Sequence, residues 1–253
     1  MVWSFAFCAI LLTIEKGWHR LAALAHDRRS LWGLVLAGHL VLINWTLYVW
    51  SVNAGHTLDA AMGYFINPLV SALLGVLVLR ERLSPAQWMA FGIGIVAVVV
   101  LMVGHSSTPL ISLGLAMSFG LYGLVKKVLG VAVKPAVGLI VETLATTPLA
   151  LVYIGWGVAR GKSTFTGSYS LLLVSAGILT AVPLLMFAFA ASRISLTTLG
   201  ILQYISPLLQ FLVGLFLFGE QMPWQRWVGF SLVWVAVVMF SAEGLIRLVR
   251  RTR

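Results

Sequence analysis

Apolar residues fall into nine blocks, at 1–14, 31–52, 57–79, 86–103, 109–125, 136–158, 169–190, 195–218 and 227–246. Blocks of this length match the roughly 20 helical residues that cross a hydrocarbon core of about 30 Å. The runs are continuously apolar rather than alternating with a period of two, so they read as helices and not as barrel strands. Only 9% of the 253 residues are charged, against about 25% in a soluble domain, too few to cover a water-facing surface. No gap between blocks is long enough to hold a soluble domain. The expectation is an all-α, polytopic membrane helix bundle.

The formal net charge of +10 does not point to nucleic acid. The basic residues sit in short gaps between apolar blocks, with no basic domain to track a phosphate backbone. They report orientation instead. If all nine blocks cross, the gaps alternate sides. Fourteen of the 17 basic residues (Lys16, Arg20, Arg28, Arg29, Arg80, Arg82, Lys126, Lys127, Lys134, Arg193, Arg247, Arg250, Arg251 and Arg253) then share the side of the C-terminus. Arg160, Lys162 and Arg226 lie opposite. The positive-inside rule puts the C-terminus in the cytoplasm and Met1 outside, in a cell (plasma or inner) membrane. The first block lacks the basic n-region and A-x-A site of a signal peptide. Cys8, the single cysteine, has no partner for a disulfide or a metal.

Residues 44–83 align without gaps on residues 183–222, an offset of 139. Ile66, Pro68, Leu69, Leu73, Gly75 and Glu81 fall on Ile205, Pro207, Leu208, Leu212, Gly214 and Glu220, and Trp88 falls on Trp227. Under the topology above Glu81 is cytoplasmic and Glu220 external, so the two copies are inverted. Such repeats allow two packings of similar energy, one open to each side of the membrane.

The chain resembles the RarD proteins of the EamA branch of the drug/metabolite transporter superfamily. The residues carrying the resemblance are Asn44-Trp45-Thr46-Leu47-Tyr48, Gly63-Tyr64-Phe65-Ile66-Asn67-Pro68-Leu69, Glu81-Arg82-Leu83, Phe119-Gly120-Leu121-Tyr122-Gly123, Glu142-Thr143, Pro183-Leu184-Leu185 and Gly219-Glu220. The resemblance implies ten helices in two inverted five-helix EamA repeats, with Val2-Trp3-Ser4 resembling the opening of the second helix. The expected organisation is therefore nine helices with the first one missing. A four-helix first repeat occupies 1–104, a five-helix second repeat 109–246, and a basic cytoplasmic tail 247–253. The first block, 14 residues or about 21 Å as a helix, is short for a span.

Polar residues within spans are the candidates for a solute path. Tyr64, Asn67, Ser71 and Gly75 lie at i, i+3, i+7 and i+11, on one helical face. Their partners under the offset are Gln203, Ser206, Gln210 and Gly214, again polar or small. Facing lipid would be costly for them, so both stripes are expected to face the bundle interior, as path or as interhelical glue. Asn44 and Tyr48 share a face, with Trp45 and Trp50 beside them. Glu142 shares a face with Thr146 and Tyr153, and either meets a cation or exchanges a proton, or is held protonated in a hydrogen-bond network, or is paired with a lysine such as Lys126 or Lys127. Pro68, Pro183 and Pro207 each remove a backbone donor within a span and are the hinge candidates. His39 reads as a hydrogen-bonded bundle residue, and Glu81 and Glu220 as pins at helix ends.

No HExxH, Walker A or GxSxG motif and no metal-ligand cluster is present, so neither an enzyme nor a cofactor or metal site is expected. The leading expectation is a secondary transporter of a small metabolite or drug-like solute, exporting or exchanging it by alternating access with a coupling proton or ion. The other is a non-transporting scaffold, or a degenerate paralogue paired with another membrane protein.

Overall fold

The structure is a computed structural model, and it describes residues 2–102, 109–161, 168–206, 209, 212, 216 and 224–251. Ten α-helices occur among the described residues: α1 (Val2–Ile14), α2 (Trp18–Leu24), α3 (Arg28–Asn53), α4 (Thr57–Leu77), α5 (Pro85–Met102), α6 (Pro109–Leu129), α7 (Pro135–Ala159), α8 (Ser168–Ala191), α9 (Leu196–Leu202) and α10 (Trp224–Arg251). A 3-10 turn, Gly130–Ala132, joins α6 to α7, and there is no strand among the described residues. Six of the helices are long and apolar enough to cross a bilayer, while Val2–Ile14 and Trp227–Met239 are shorter apolar helices. Large apolar side chains such as Leu110, Val152 and Leu171 are exposed at 78%, 72% and 74%, a surface suited to lipid rather than water.

The helix boundaries follow local chemistry. Proline opens α5, α6 and α7 (Pro85, Pro109, Pro135), positions where its missing N–H costs nothing and its fixed φ suits the first turn. Ser84 and Gln87 form a reciprocal cap on α5. The Gln87 amide donates to Ser84 Oγ at 3.1 Å, and the Ser84 amide donates to Gln87 Oε1 at 3.0 Å. Asp27 caps α3 by accepting from the Ser30 amide at 3.2 Å. Hydrogen bonding to Ser30 holds this carboxyl below its usual pKa. Lys126 and Lys127 sit in the last turn of α6, where the helix dipole favours cations.

One helix is missing from the sequence reading. The basic gap between the first two blocks contains α2, a single exposed stretch whose Trp18 indole donates to Thr13 Oγ1 at 3.1 Å. At seven residues it is below the length that hydrophobic periodicity resolves. Beyond Ser206, most of the 195–218 block lies outside the described residues, as do Pro207, Gln210, Gly214 and Glu220.

The chain divides into two compact units. Unit one comprises Met1–Ile43 and Val125–Ile194. Within it α1 packs on α7 and α8; Ser4 Oγ donates to the Gly177 carbonyl at 3.2 Å. A Cβ at Gly38 would stand 2.5 Å from the Glu142 carbonyl oxygen, so α3 and α7 meet backbone to backbone there. Such close approach is a common way for membrane helices to associate.

Unit two comprises Asn44–Leu124 and Ser195–Arg253. Its contacts pair α4 with α9 and α5 with α10. Both pairs are antiparallel: Gly75 lies by Thr197 and Ser71 by Gly200, while Leu101 near the end of α5 lies by Gly229 near the start of α10. Met62, Phe65, Ala97, Val98, Leu101, Tyr204, Phe230 and Val233 form the core of this unit. The starts of paired helices stand 139 residues apart, Thr57 with Leu196 and Pro85 with Trp224. The division into compact units is thus not the division into sequence halves, since each unit draws on both.

Glu81 closes the α4–α9 pair. It follows α4 and reaches the start of α9, where Oε1 accepts from the Leu196 amide at 2.7 Å and Oε2 from the Thr197 amide and hydroxyl at 3.0 and 2.6 Å. Gly75 leaves the space, since a Cβ there would be 2.7 Å from Glu81 Oε2. Rather than holding its own loop, the carboxylate satisfies orphan amides of another helix. Glu81→Ala is expected to destabilise the protein by about 1 to 2 kcal/mol, in the range of a lost N-cap. Thermal unfolding in detergent, with hydrogen exchange at residues 196–198, checks this, and unchanged protection there would contradict it.

Candidate functional site

In unit two, the last turns of α3, the middle of α4 and the end of α9 bring most of the expected residues together. Asn44 is buried, and its Nδ2 donates to the Leu115 carbonyl and to Ser118 Oγ, both at 2.9 Å. It therefore ties α3 to α6. Trp45 and Tyr48 meet edge to face at 6.3 Å, and Tyr48 meets Tyr64 of α4 in the same manner at 5.8 Å. Tyr64 remains 36% exposed and Trp45 42%. Trp50 points elsewhere and stacks on His56.

One turn beyond Tyr64, Asn67 is 4% exposed and its Nδ2 donates to Gln203 Oε1. Asn67 Oδ1 and Gln203 Nε2 have no hydrogen-bond partner among the described residues, nor does the hydroxyl of buried Tyr204. Each such buried orphan costs about 1 to 3 kcal/mol. Ser71 is buried against Gly200, so the stripe of polar and small residues on α4 faces α9. Ser206 is exposed. α9 itself stops at Leu202, and Gln203 and Tyr204 form a turn.

Opposite this break, Pro68 sits inside a continuous α4, where its ring removes the hydrogen bond to the Tyr64 carbonyl. A small cavity of about 10 Å³ lies against Pro68, Ala72, Phe91, Ile201 and Tyr204, room for no more than one water.

Glu142 and Pro183 belong to unit one. Glu142 of α7 is 2% exposed, and Lys126 Nζ donates to its Oε1 in a buried ion pair. Gly138 provides space for the ammonium, since a Cβ there would be 3.1 Å from Nζ. Lys127 donates instead to the Ile194 carbonyl at 2.6 Å. Thr146 is buried one turn from Glu142, but Tyr153 farther along α7 is 72% exposed. Pro183 lies within α8, which continues through it. Pro148, which the sequence reading did not single out, lies within α7 in the same way. His39 donates from Nδ1 to the Val35 carbonyl at 2.8 Å. Among the described residues no group of three or more His, Cys, Asp or Glu is placed to hold a metal.

A bundle of long apolar helices with buried polar and charged side chains defines a multi-pass membrane protein, and comparison with known proteins gives the family. Residues 1–103 match the EamA-like transporter family. A RarD protein of Streptomyces exfoliatus is 46% identical over 256 residues, covering 100% of this chain and 80% of its own. An uncharacterized transporter of Vibrio cholerae serotype O1 is 40% identical over 248 residues, covering 97% and 82%. A crystal structure at 20% identity superposes with a TM-score of 0.65 over 98% of this chain and 89% of the other, a likeness of fold. The chain belongs to the EamA-like transporter family and is a RarD-like member of it. It is a multi-pass membrane transporter, not an enzyme.

The ion pair sets a testable energetic expectation. Glu142→Gln removes the carboxylate that Lys126 meets in the buried interior of unit one, and breaking a buried pair from one side costs about 3 to 5 kcal/mol. The Gln variant should therefore lose folded yield in membranes. Replacing both residues, Lys126→Met with Glu142→Met, should recover most of it, as measured by fluorescence-detected size exclusion. Equal yields for the single and double variants would show that the pair is not coupled in folding.

Proposed function

We propose that the protein is a secondary transporter that moves a small metabolite or drug-like solute by alternating access, as an exporter or exchanger coupled to a proton or other ion. The observation carrying this reading is the antiparallel pairing of equivalent helices. α4 and α9, whose starts are 139 residues apart, run in opposite directions with Glu81 bridging the end of one to the start of the other. α5 and α10 repeat the relation. Opposite-running copies are what an inverted repeat requires, and they support two repeats, at 1–104 and 109–246, followed by a basic tail at 247–253. A scaffold has no need of that symmetry, whereas alternating access uses it directly.

Within this reading Asn44, Trp45, Tyr48, Tyr64, Asn67, Ser71, Gln203, Ser206, Gln210 and Glu142 line or position the solute path, and Pro68, Pro183 and Pro207 serve as hinges. The break after α9 at Gln203 resembles the discontinuous helices from which transporters build sites near the midplane. Reconstitution with counterflow against a panel of labelled small solutes tests the assignment. Saturable exchange of at least one solute, absent from protein-free vesicles, is expected, and no exchange across the panel counts against transport.

The same reading fixes the topology. A reporter fused after Arg253 is expected to be cytoplasmic and one inserted at Ser106 external, because fourteen basic residues lie on the C-terminal side and three opposite. Two reporters on one side would overturn both the alternation and the inversion.

A further inference from the structure

The α4–α9 seam carries chemistry that ordinary helix packing leaves unexplained. Asn67 and Gln203 share one hydrogen bond, and each keeps one buried atom, Oδ1 and Nε2, without a partner among the described residues. The arrangement does not depend on how the amides are turned. Flipping both exchanges oxygen for nitrogen at each residue and still leaves one acceptor and one donor. The pair thus presents complementary hydrogen-bonding capacity that no described residue uses.

Its surroundings select against charge. The described stretches 85–102 and 196–206 of the packed helices contain no charged residue. Asp59 and Glu81, the carboxylates flanking this part of the chain, are engaged by His56 and by the start of α9, and Glu243 of α10 lies about 10 Å along its helix from Ala236, the residue that borders Pro68 and Tyr204. Asp59 is also eight residues from Asn67, about 12 Å along a helix.

An aromatic wall lies alongside. Tyr64 is one turn from Asn67 on the same face, is 36% exposed, and meets Tyr48 edge to face. Gln203 stands where α9 ends, so its side chain can swing aside without unwinding helical hydrogen bonds.

We propose that the Asn67–Gln203 pair, walled by Tyr64 and Tyr48, binds uncharged flat solutes through a group with a donor and an acceptor side by side, as in a carboxamide. A primary carboxamide, with two N–H donors and two carbonyl lone pairs, replaces the amide–amide contact with the capacity to meet all four polar atoms of the pair, while its ring packs against the tyrosines. A carboxylate would lack the donor that Asn67 Oδ1 needs. An ammonium would lack the acceptor for Gln203 Nε2, and either ion would pay desolvation with no counter-charge at this level. The inference names the solute class of the transport reading above and rests on that reading for its physiological meaning.

Three probes that share one ring and differ in the polar group provide the test: benzamide, benzoate and benzyltrimethylammonium. Equilibrium dialysis of the full chain in detergent should show benzamide binding at least tenfold more tightly than either ion. In Asn67→Leu/Gln203→Leu, where both partners become apolar and no orphan remains, the preference should fall below twofold with the thermal transition retained. If that variant does not fold, Gln203→Met, on the less buried side of the pair, should show the same loss. Equal or tighter binding of an ion, no saturable benzamide binding, or a preference that survives these substitutions would overturn the proposal. Counterflow is read separately. Selective binding without any exchange upholds this site and counts against transport, whereas exchange of other solutes without benzamide binding upholds transport and overturns this site.

Discussion

The interior of a bilayer offers no water to a backbone amide, so every N–H and C=O that enters it must be met by the protein itself. Helices answer this along their length, but not at their ends, where the first amides and last carbonyls stay open. Here the ends are answered by named side chains. Ser84 and Gln87 close α5, Asp27 closes α3, and Ser195 accepts from the Thr198 amide at 3.1 Å while Glu81 takes Leu196 and Thr197. Glu81 stands apart because it comes from another helix pair position. By satisfying the start of α9 from the end of α4 it joins the ends that meet in the antiparallel α4–α9 contact.

Once direction is set, closeness is decided by small residues. Ser71 against Gly200 and Gly75 against Thr197 bring α4 and α9 together over two turns. Gly38 does the same for α3 on the Glu142 backbone in the other unit. Lipid tails are as apolar as leucine, so burying large side chains gains little between membrane helices; close van der Waals contact and interhelical hydrogen bonds supply the association. This explains why the polar and small stripe on α4 lies at a helix contact. The same residues act as packing surface and, at Asn67, carry unmet hydrogen-bonding capacity.

The spans were legible in the sequence because the signal is long and unmixed. The ends of α3, α4, α5, α6, α7 and α8 fall within a few residues of the apolar blocks. α2 was not legible, since its seven residues are flanked by charge and bury nothing. Pairing of Glu142 with a lysine such as Lys126 or Lys127 is one of the readings the sequence leaves open, but adjacent residues point about 100° apart on a helix, and only the structure separates the one that reaches Glu142 from the one that reaches Ile194. The compact units were not legible either. Periodicity reports which face of a helix is apolar, not which distant helix covers it. The 139-residue offset aligned α4 with α9 and α5 with α10 as copies, yet gave no sign that copies would be packing partners. Tyr204 was passed over because an aromatic residue in an apolar block reads as core, which its ring is; its unpartnered hydroxyl appears only with the fold.

The two units handle buried polarity in opposite ways, and the difference bears on transport. In unit one the Lys126–Glu142 pair cancels its own charge, with Lys126 in the last turn of α6, where the helix dipole adds to the stabilisation of the ammonium. Separating such ions without replacement would cost several kcal/mol, so any movement that parts them needs a proton or a charged group to take up the vacated partner. In unit two the Asn67–Gln203 pair is neutral and only partly satisfied. Parting it costs one hydrogen bond between amides, about 1 kcal/mol net, and an uncharged solute with the right group restores more than was lost. A weak neutral contact can be exchanged readily, whereas a buried ion pair resists being parted. The neutral seam is therefore the contact that parts at small cost, and the buried ion pair the one that resists parting.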